Sequence, residues 1–225
     1  MSDVPALLFD LDGTLIDSIP AIHAMVNAVM ADLGYPALGM VQVRGFVGRG
    51  VPHLIRQVLE AQGEDPEGPM FARVETALMA RYLYDVEGNT PYPGVSQALS
   101  ALAARGCRLG VCTNKPHGPA IAALTHVGLL DHFEVVLGGD SLPSRKPDPA
   151  MVHHAHDRLG GGPLLYVGDS EVDAETAANA GAAFALYTEG YRHAPIEALP
   201  HRFAFSDWRG FADLALPHLL AGETG

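Results

Sequence analysis

Asp10-Leu11-Asp12-Gly13-Thr14 holds two carboxylates two residues apart. They follow the apolar run Ala6-Leu7-Leu8-Phe9, which reads as a buried β-strand. In extended chain, residues i and i+2 point to the same side, so the two acids converge where the strand leaves the core. Gly13 permits the sharp turn that follows. Like charges gathered this way are costly unless a cation or a reaction needs them. Asp and Gly also form ordinary turns after strands, so the pentapeptide alone leaves a plain turn open.

Three further segments supply possible partners. The strand around Arg108 to Cys112 is followed by Thr113-Asn114-Lys115, and the run Leu164 to Val167 by Gly168-Asp169-Ser170, with Asp173 four residues past Asp169. Lys146 lies in Arg145-Lys146-Pro147-Asp148-Pro149, ahead of that last strand. Each has a purely structural reading. Thr113 and Asn114 could serve a turn or a cap. Asp148 fits an N-cap with proline at the first helical position. Ser170 could cap the helix that carries Asp173, where the helix dipole favours an acid. Lys146 alone could be a surface lysine. Taken together, carboxylates, a hydroxyl, an amide and an ammonium gather beyond the C-terminal ends of parallel strands, where open α/β sheets bind ligands.

Phosphoryl transfer fits this set. A carboxylate can attack phosphorus and form an aspartyl-phosphate. The charged phosphoryl group requires cations, and hard oxygen ligands suit Mg²⁺, for which Asp10 and Asp169 are the natural residues. Lys146, Thr113 and Asn114 can stabilise the transferring group. Asp12 is placed to protonate the leaving oxygen and then activate water.

The elements that must position these groups follow from periodicity. After the strand at 5–10 and a turn region from Leu11 to Ser18, residues 20–34, 39–46, 51–62 and 67–85 read as helices, with no strand among them. Glu87 to Gly94 is rich in turn formers and marks a boundary. Beyond it helices at 94–105, 117–127, 149–159 and 171–180 alternate with strands at 108–112, 134–137, 164–167 and 183–186, a pattern that predicts a parallel sheet covered on both faces. The expectation is an α/β, Rossmann-like core formed by residues 1–17 and 91–225, with residues 18–90 inserted as a helical cap. The tail beyond about 190 reads as less regular, with Phe203, Phe205, Trp208, Phe211 and Leu214 packing back onto the core.

Composition fits an ordinary soluble globular protein. The 225 residues are 48% hydrophobic and 18% charged, with a net charge of −12. That charge argues against nucleic acid or an anionic membrane as main partner. It leaves room for a small anionic substrate held by local cations. Cys107 and Cys112 suit neither a zinc site nor a disulfide framework and read as buried thiols of a reducing cytoplasm. The first strand begins almost at once, so no secretory leader is expected, and no apolar run is long enough to span a membrane.

As a set and in this order, Asp10 to Thr14, Thr113, Lys146 and Gly168-Asp169-Ser170 with Asp173 resemble the four motifs of the haloacid dehalogenase superfamily. The resemblance implies that Asp10 is nucleophile and metal ligand. It makes Asp12 the general acid/base and the donor of a backbone carbonyl to the metal. Thr113 and Lys146 would bind the phosphoryl group, Asp169 would ligate Mg²⁺, and Asp173 would support the metal directly or through water. The helical insertion is similar to the family's mobile cap. Phe9 to Ser18, Val47-Gly48-Arg49-Gly50, Tyr92-Pro93-Gly94-Val95, Val111 to Lys115 and Gly138-Gly139-Asp140-Ser141 are most similar to the phosphoglycolate phosphatase branch. This implies a small phosphorylated metabolite as substrate, with sugar phosphates or a phosphomutase reaction as alternatives, and a monomer or homodimer. Arg49, on a glycine-flanked turn, could meet a substrate carboxylate or simply be solvated.

Overall fold

The structure, a computed structural model, describes residues 4–220. The strand read around Ala6 is β1 (Ala6–Phe9), and its four residues are fully buried. Leu7 and Phe9 enter one apolar cluster, while Ala6 and Leu8 enter another on the opposite face. This period-2 division covers both faces of a parallel strand, and each buried Leu or Phe contributes about 1.5–3 kcal/mol.

The segment read as turn from Leu11 to Ser18 contains a two-residue strand, β2 (Ile16–Asp17). Four helices follow: α1 (Ile19–Asp32), α2 (Met40–Arg44), α3 (Val51–Ala61) and α4 (Met70–Tyr82). The last is shorter than the 67–85 expected. Pro69 stands at its start, and the chain turns after Tyr82. These helices bury their own cluster, including Ile22, Met25, Leu54, Val58, Val74 and Tyr82. β3 (Thr90–Pro91) pairs antiparallel with β2, so a short ribbon joins the helical insertion to the sheet.

The chain then alternates through α5 (Val95–Ala104), β4 (Arg108–Cys112), α6 (His117–His126), β5 (Val135–Leu137), α7 (Ala150–Arg158), β6 (Leu164–Gly168), α8 (Glu171–Ala180) and β7 (Ala183–Tyr187). The tail departs from the irregular reading. It adds β8 (Phe203–Phe205) in parallel to β7 and ends in α9 (Phe211–Leu220). Phe205, Trp208 and Phe211 are buried around Phe9 and Tyr187, whereas Leu214 is 40% exposed and does not pack inward as expected. Its position on α9 faces away from the sheet that Phe211 and Ala215 cover.

The six-stranded sheet runs β5-β4-β1-β6-β7-β8, all parallel. β1 lies centrally between β4 and β6, and that order brings their following loops to one edge.

Candidate active site

Asp10 leaves β1 with its N–H still donating to Val167 O of β6. The chain then folds tightly. Gly13 N–H donates to Ile16 O and Leu15 N–H to Leu11 O, with Gly13 at φ +88°, the left-handed region that glycine alone enters without strain. Asp10 and Asp12 are 6% and 9% exposed. β6 delivers Asp169, and α8 begins with a reciprocal cap in which Ser170 Oγ accepts from Asp173 N–H while the Asp173 carboxylate accepts from Ser170 N–H.

The oxygens of Asp10, Asp169 and Asp173 lie within 4.8 Å of one another, all buried. Lys146 comes in from the loop before α7 and is 3% exposed. Its Nζ is 2.9 Å from Asp10 Oδ1, 2.7 Å from Asp173 Oδ1 and 3.1 Å from the Tyr166 hydroxyl. Burial would lower its pKa, but the Asp10 and Asp173 charges outweigh this and hold the ammonium above the usual lysine range.

Three buried carboxylates against one ammonium leave an excess of negative charge. Burial pushes Asp10 up to about 6, with Asp173 adding to the rise and Lys146 opposing it. Burial, then Asp173 and Asp10, raise Asp169 well above its ordinary range, against the hydrogen bonds from Tyr191 N–H and Thr14. Asp10 Oδ1 receives no hydrogen bond of good geometry. An all-oxygen donor set in which three buried acids share a single ammonium fits a hard divalent cation.

Asp169 is aimed by its neighbours. Thr14 Oγ1 donates to Oδ1 at 2.7 Å, and Tyr191 N–H donates to Oδ2 at 2.6 Å. Gly190 lets the Tyr191 loop approach, since a Cβ there would stand 2.3 Å from Asp169 Oδ2. Gly190→Ala should therefore push the carboxylate aside and weaken divalent-cation binding about ten- to a hundredfold. A Mg²⁺ titration followed by thermal unfolding checks this; unchanged affinity would show that the approach does not set the ligand.

Asp173 is fully engaged. Its carboxylate accepts from Lys146, Tyr166, Asp169 N–H, Ser170 N–H and Ser170 Oγ. It holds Lys146 and the Asp169 backbone in place. Thr113, 1% exposed, lines a cavity of about 20 Å³ together with Asp10 and Asp12. Asn114 directs its amide hydrogens to Gly48 O and Lys146 O, both at 3.1 Å, so those donors tie loops together rather than point at a ligand. Arg49 is exposed and has no ion pair among the described residues. It lines a 490 Å³ cavity together with Asp10, Asp12, His53 and Asp169.

Asp12 stands apart from the three-acid cluster. Its partner is Lys115, whose Nζ is 3.1 and 3.4 Å from the two carboxylate oxygens. Sequence reasoning noted Lys115 in the loop after β4 but gave it no task. Tyr166, Tyr191 and Tyr82 were also missed. Tyr191 lies 22 residues past Asp169 in the tail, where no local pattern pointed to the site.

The sequence profile of the family described as haloacid dehalogenase-like hydrolase matches residues 7–187. A protein named phosphoglycolate phosphatase from Rhodobacter capsulatus is 55% identical over 220 residues, covering 98% of each chain. Another of that name from Cereibacter sphaeroides is 48% identical over 219 residues, covering 97% of this chain and all of the relative. Among solved structures, a predicted phosphoglycolate phosphatase from Haemophilus somnus superposes with a TM-score of 0.88 at 30% identity, over 96% of this chain and 99% of that one. A putative haloacid dehalogenase-like hydrolase from Bacteroides fragilis gives 0.81 at 26% identity, over 94% and 99%.

Proposed function

We propose that this chain, which belongs to the haloacid dehalogenase-like hydrolase family, hydrolyses 2-phosphoglycolate through an aspartyl-phosphate on Asp10, with Mg²⁺ as its metal. The chain is a phosphatase. One observation carries the mechanism: a buried cluster of Asp10, Asp169, Asp173 and Lys146 carries surplus negative charge beside a second, separate carboxylate, Asp12. Residues 18–90 act in this reading as a cap over a core of 1–17 and 91–225.

Asp10 attacks phosphorus as the ester P–O bond breaks, and Asp12 gives a proton to the departing oxygen. A water then attacks the phosphoenzyme, Asp12 takes its proton, and the acyl-phosphate bond breaks to restore Asp10 and release phosphate. Lys146 and Thr113 hold the phosphoryl oxygens. Asp10 and Asp169, with the Asp12 carbonyl, would hold the Mg²⁺, which would neutralise phosphoryl charge; Asp173 would support it through Lys146 and the Asp169 backbone.

The 490 Å³ cavity accepts a small leaving group, and Arg49 in its lining supplies a cation for a carboxylate. Relatives named phosphoglycolate phosphatase, at up to 55% identity over nearly the whole chain, support the same substrate. Two free buried thiols, Cys107 and Cys112, support a reducing, cytoplasmic setting. No described helix is long and apolar enough to cross a membrane.

A panel of phosphomonoesters compared by kcat/KM with Mg²⁺ tests the substrate. 2-Phosphoglycolate should stand first, and Arg49→Met should raise its KM about tenfold with kcat little changed, as loss of a charge-assisted contact made equally in ground and transition states predicts. A sugar phosphate in first place would overturn the substrate and leave the mechanism standing.

A further inference from the structure

Lys115 is a buried cation to which the phosphoryl-transfer steps above give no task. Its side chain is 2% exposed and Asp12's is 9%. Its remaining neighbour is Tyr82, with the hydroxyl 3.4 Å and the ring centroid 4.6 Å from Nζ. Tyr82 ends α4 and is packed in the apolar cluster of the helical insertion, so it moves with those helices. The Lys115 backbone belongs to the sheet side. Its N–H donates to Thr113 Oγ1, and its carbonyl accepts from Gly139 N–H at 2.8 Å. One side chain therefore spans the two parts of the molecule and ends on Asp12.

Lys115 and Tyr82 do not line the 490 Å³ cavity that can hold a leaving group. They line the 20 Å³ one, which has room for about a single water. Asp10, Asp12 and Thr113 line it with them, so the role of Lys115 is decided by what its ammonium touches. An ammonium across both oxygens of Asp12 sets the orientation of that carboxylate. A group that gives and then takes a proton must stay within about 2.6–3.2 Å of the reacting oxygen.

We infer that Lys115 and Tyr82 are positioning residues for Asp12, Tyr82 conveying the closed state of the helical cap to the proton-transfer carboxylate through the Lys115 ammonium; this rests on the phosphatase reading, in which Asp12 moves the protons. Displacing the helices removes the hydroxyl and the ring from the ammonium together, and Asp12 loses its fixed orientation. Productive proton transfer is thereby confined to the closed molecule. Asn114, bonded to Gly48 O in the insertion, keeps the same loop in register with the cap.

Steady-state kinetics on 2-phosphoglycolate with saturating Mg²⁺ test this with Lys115→Met, Tyr82→Leu and the double variant. Lys115→Met should lower kcat about a hundredfold, the lower end of what general acid–base catalysis supplies, with KM within about threefold. Tyr82→Leu should lower kcat about tenfold, and the double variant should be no slower than Lys115→Met alone, because Tyr82 acts only through Lys115. Losses that multiply in the double variant would make Tyr82 a general support of the cap and overturn the inference. A KM rise with unchanged kcat would make Lys115 a substrate ligand and overturn it equally. Thermal unfolding confirms that each variant is folded; if Lys115→Met is not, Lys115→Arg with Tyr82→Phe is read by the same criteria. Absence of turnover in the unmodified protein would instead sink the phosphatase reading itself.

Discussion

Asp10→Asn should stop turnover while leaving the protein folded, and in metal-free protein near pH 7 it should melt no lower than the unmodified chain. The rate should fall about ten-thousandfold or more, as removal of a covalent nucleophile does elsewhere. The stability half follows from the site's electrostatics. Asp10 is buried beside Asp173 and Asp169, and its pKa stands near 6 rather than the ordinary 3.8. Between those values the folded state binds more protons than the unfolded one, so stability falls as pH rises through about 4 to 6. Above that window the ionised carboxylate opposes folding. Asparagine has nearly the same shape and never ionises. The variant's unfolding temperature should therefore change less across this window in metal-free buffer. Residual turnover within tenfold of normal would remove Asp10 as nucleophile, and a lower melting temperature at pH 7 would contradict the charge argument.

Chelation should have the second large effect. EDTA should abolish phosphate release, and Mg²⁺ should restore it. Metal-free protein carries the acids of Asp10, Asp169 and Asp173 against the single ammonium of Lys146. Mg²⁺ at about a hundred times its dissociation constant stabilises the folded state by about 2.7 kcal/mol, or about 5–10 °C for a chain of this size. Asp169→Asn should lose most of that thermal shift, a readout independent of activity. A full shift in Asp169→Asn would place the cation elsewhere, and full activity in EDTA would end the metal assignment.

The motifs around Asp10, Asp12, Thr113, Lys146 and Asp169 were legible because they sit beside strong local signals. A four-residue apolar run, a strand followed by Thr-Asn-Lys and a Gly-Asp-Ser cap each identify themselves within a few residues. In a parallel sheet those signals also imply proximity, since every strand ends on the same edge. The elements missed lack such a signal. β2 and β3 have two residues each, too few to show a period, and exist because they pair with each other. β8 is a three-residue edge strand recruited by β7. Leu214 follows the apolar pattern of its neighbours yet faces solvent, because Phe211 and Ala215 already occupy the face of α9 that meets the sheet.

By itself the sequence determined the reaction class and the alternation of strands and helices that makes a parallel core, because residue type and strand periodicity are local properties; the order of the strands in the sheet came from the fold. It also singled out the acids that the fold gathers into one buried cluster. Only the tertiary structure decided how those acids divide. It set Asp10, Asp169 and Asp173 around Lys146 and turned Asp12 toward Lys115, 103 residues away along the chain. It brought Tyr191 onto Asp169 and Tyr82 onto Lys115. Such pairings depend on burial and on the meeting of distant segments, and a buried charge takes its partner from whatever the fold sets within about 4 Å.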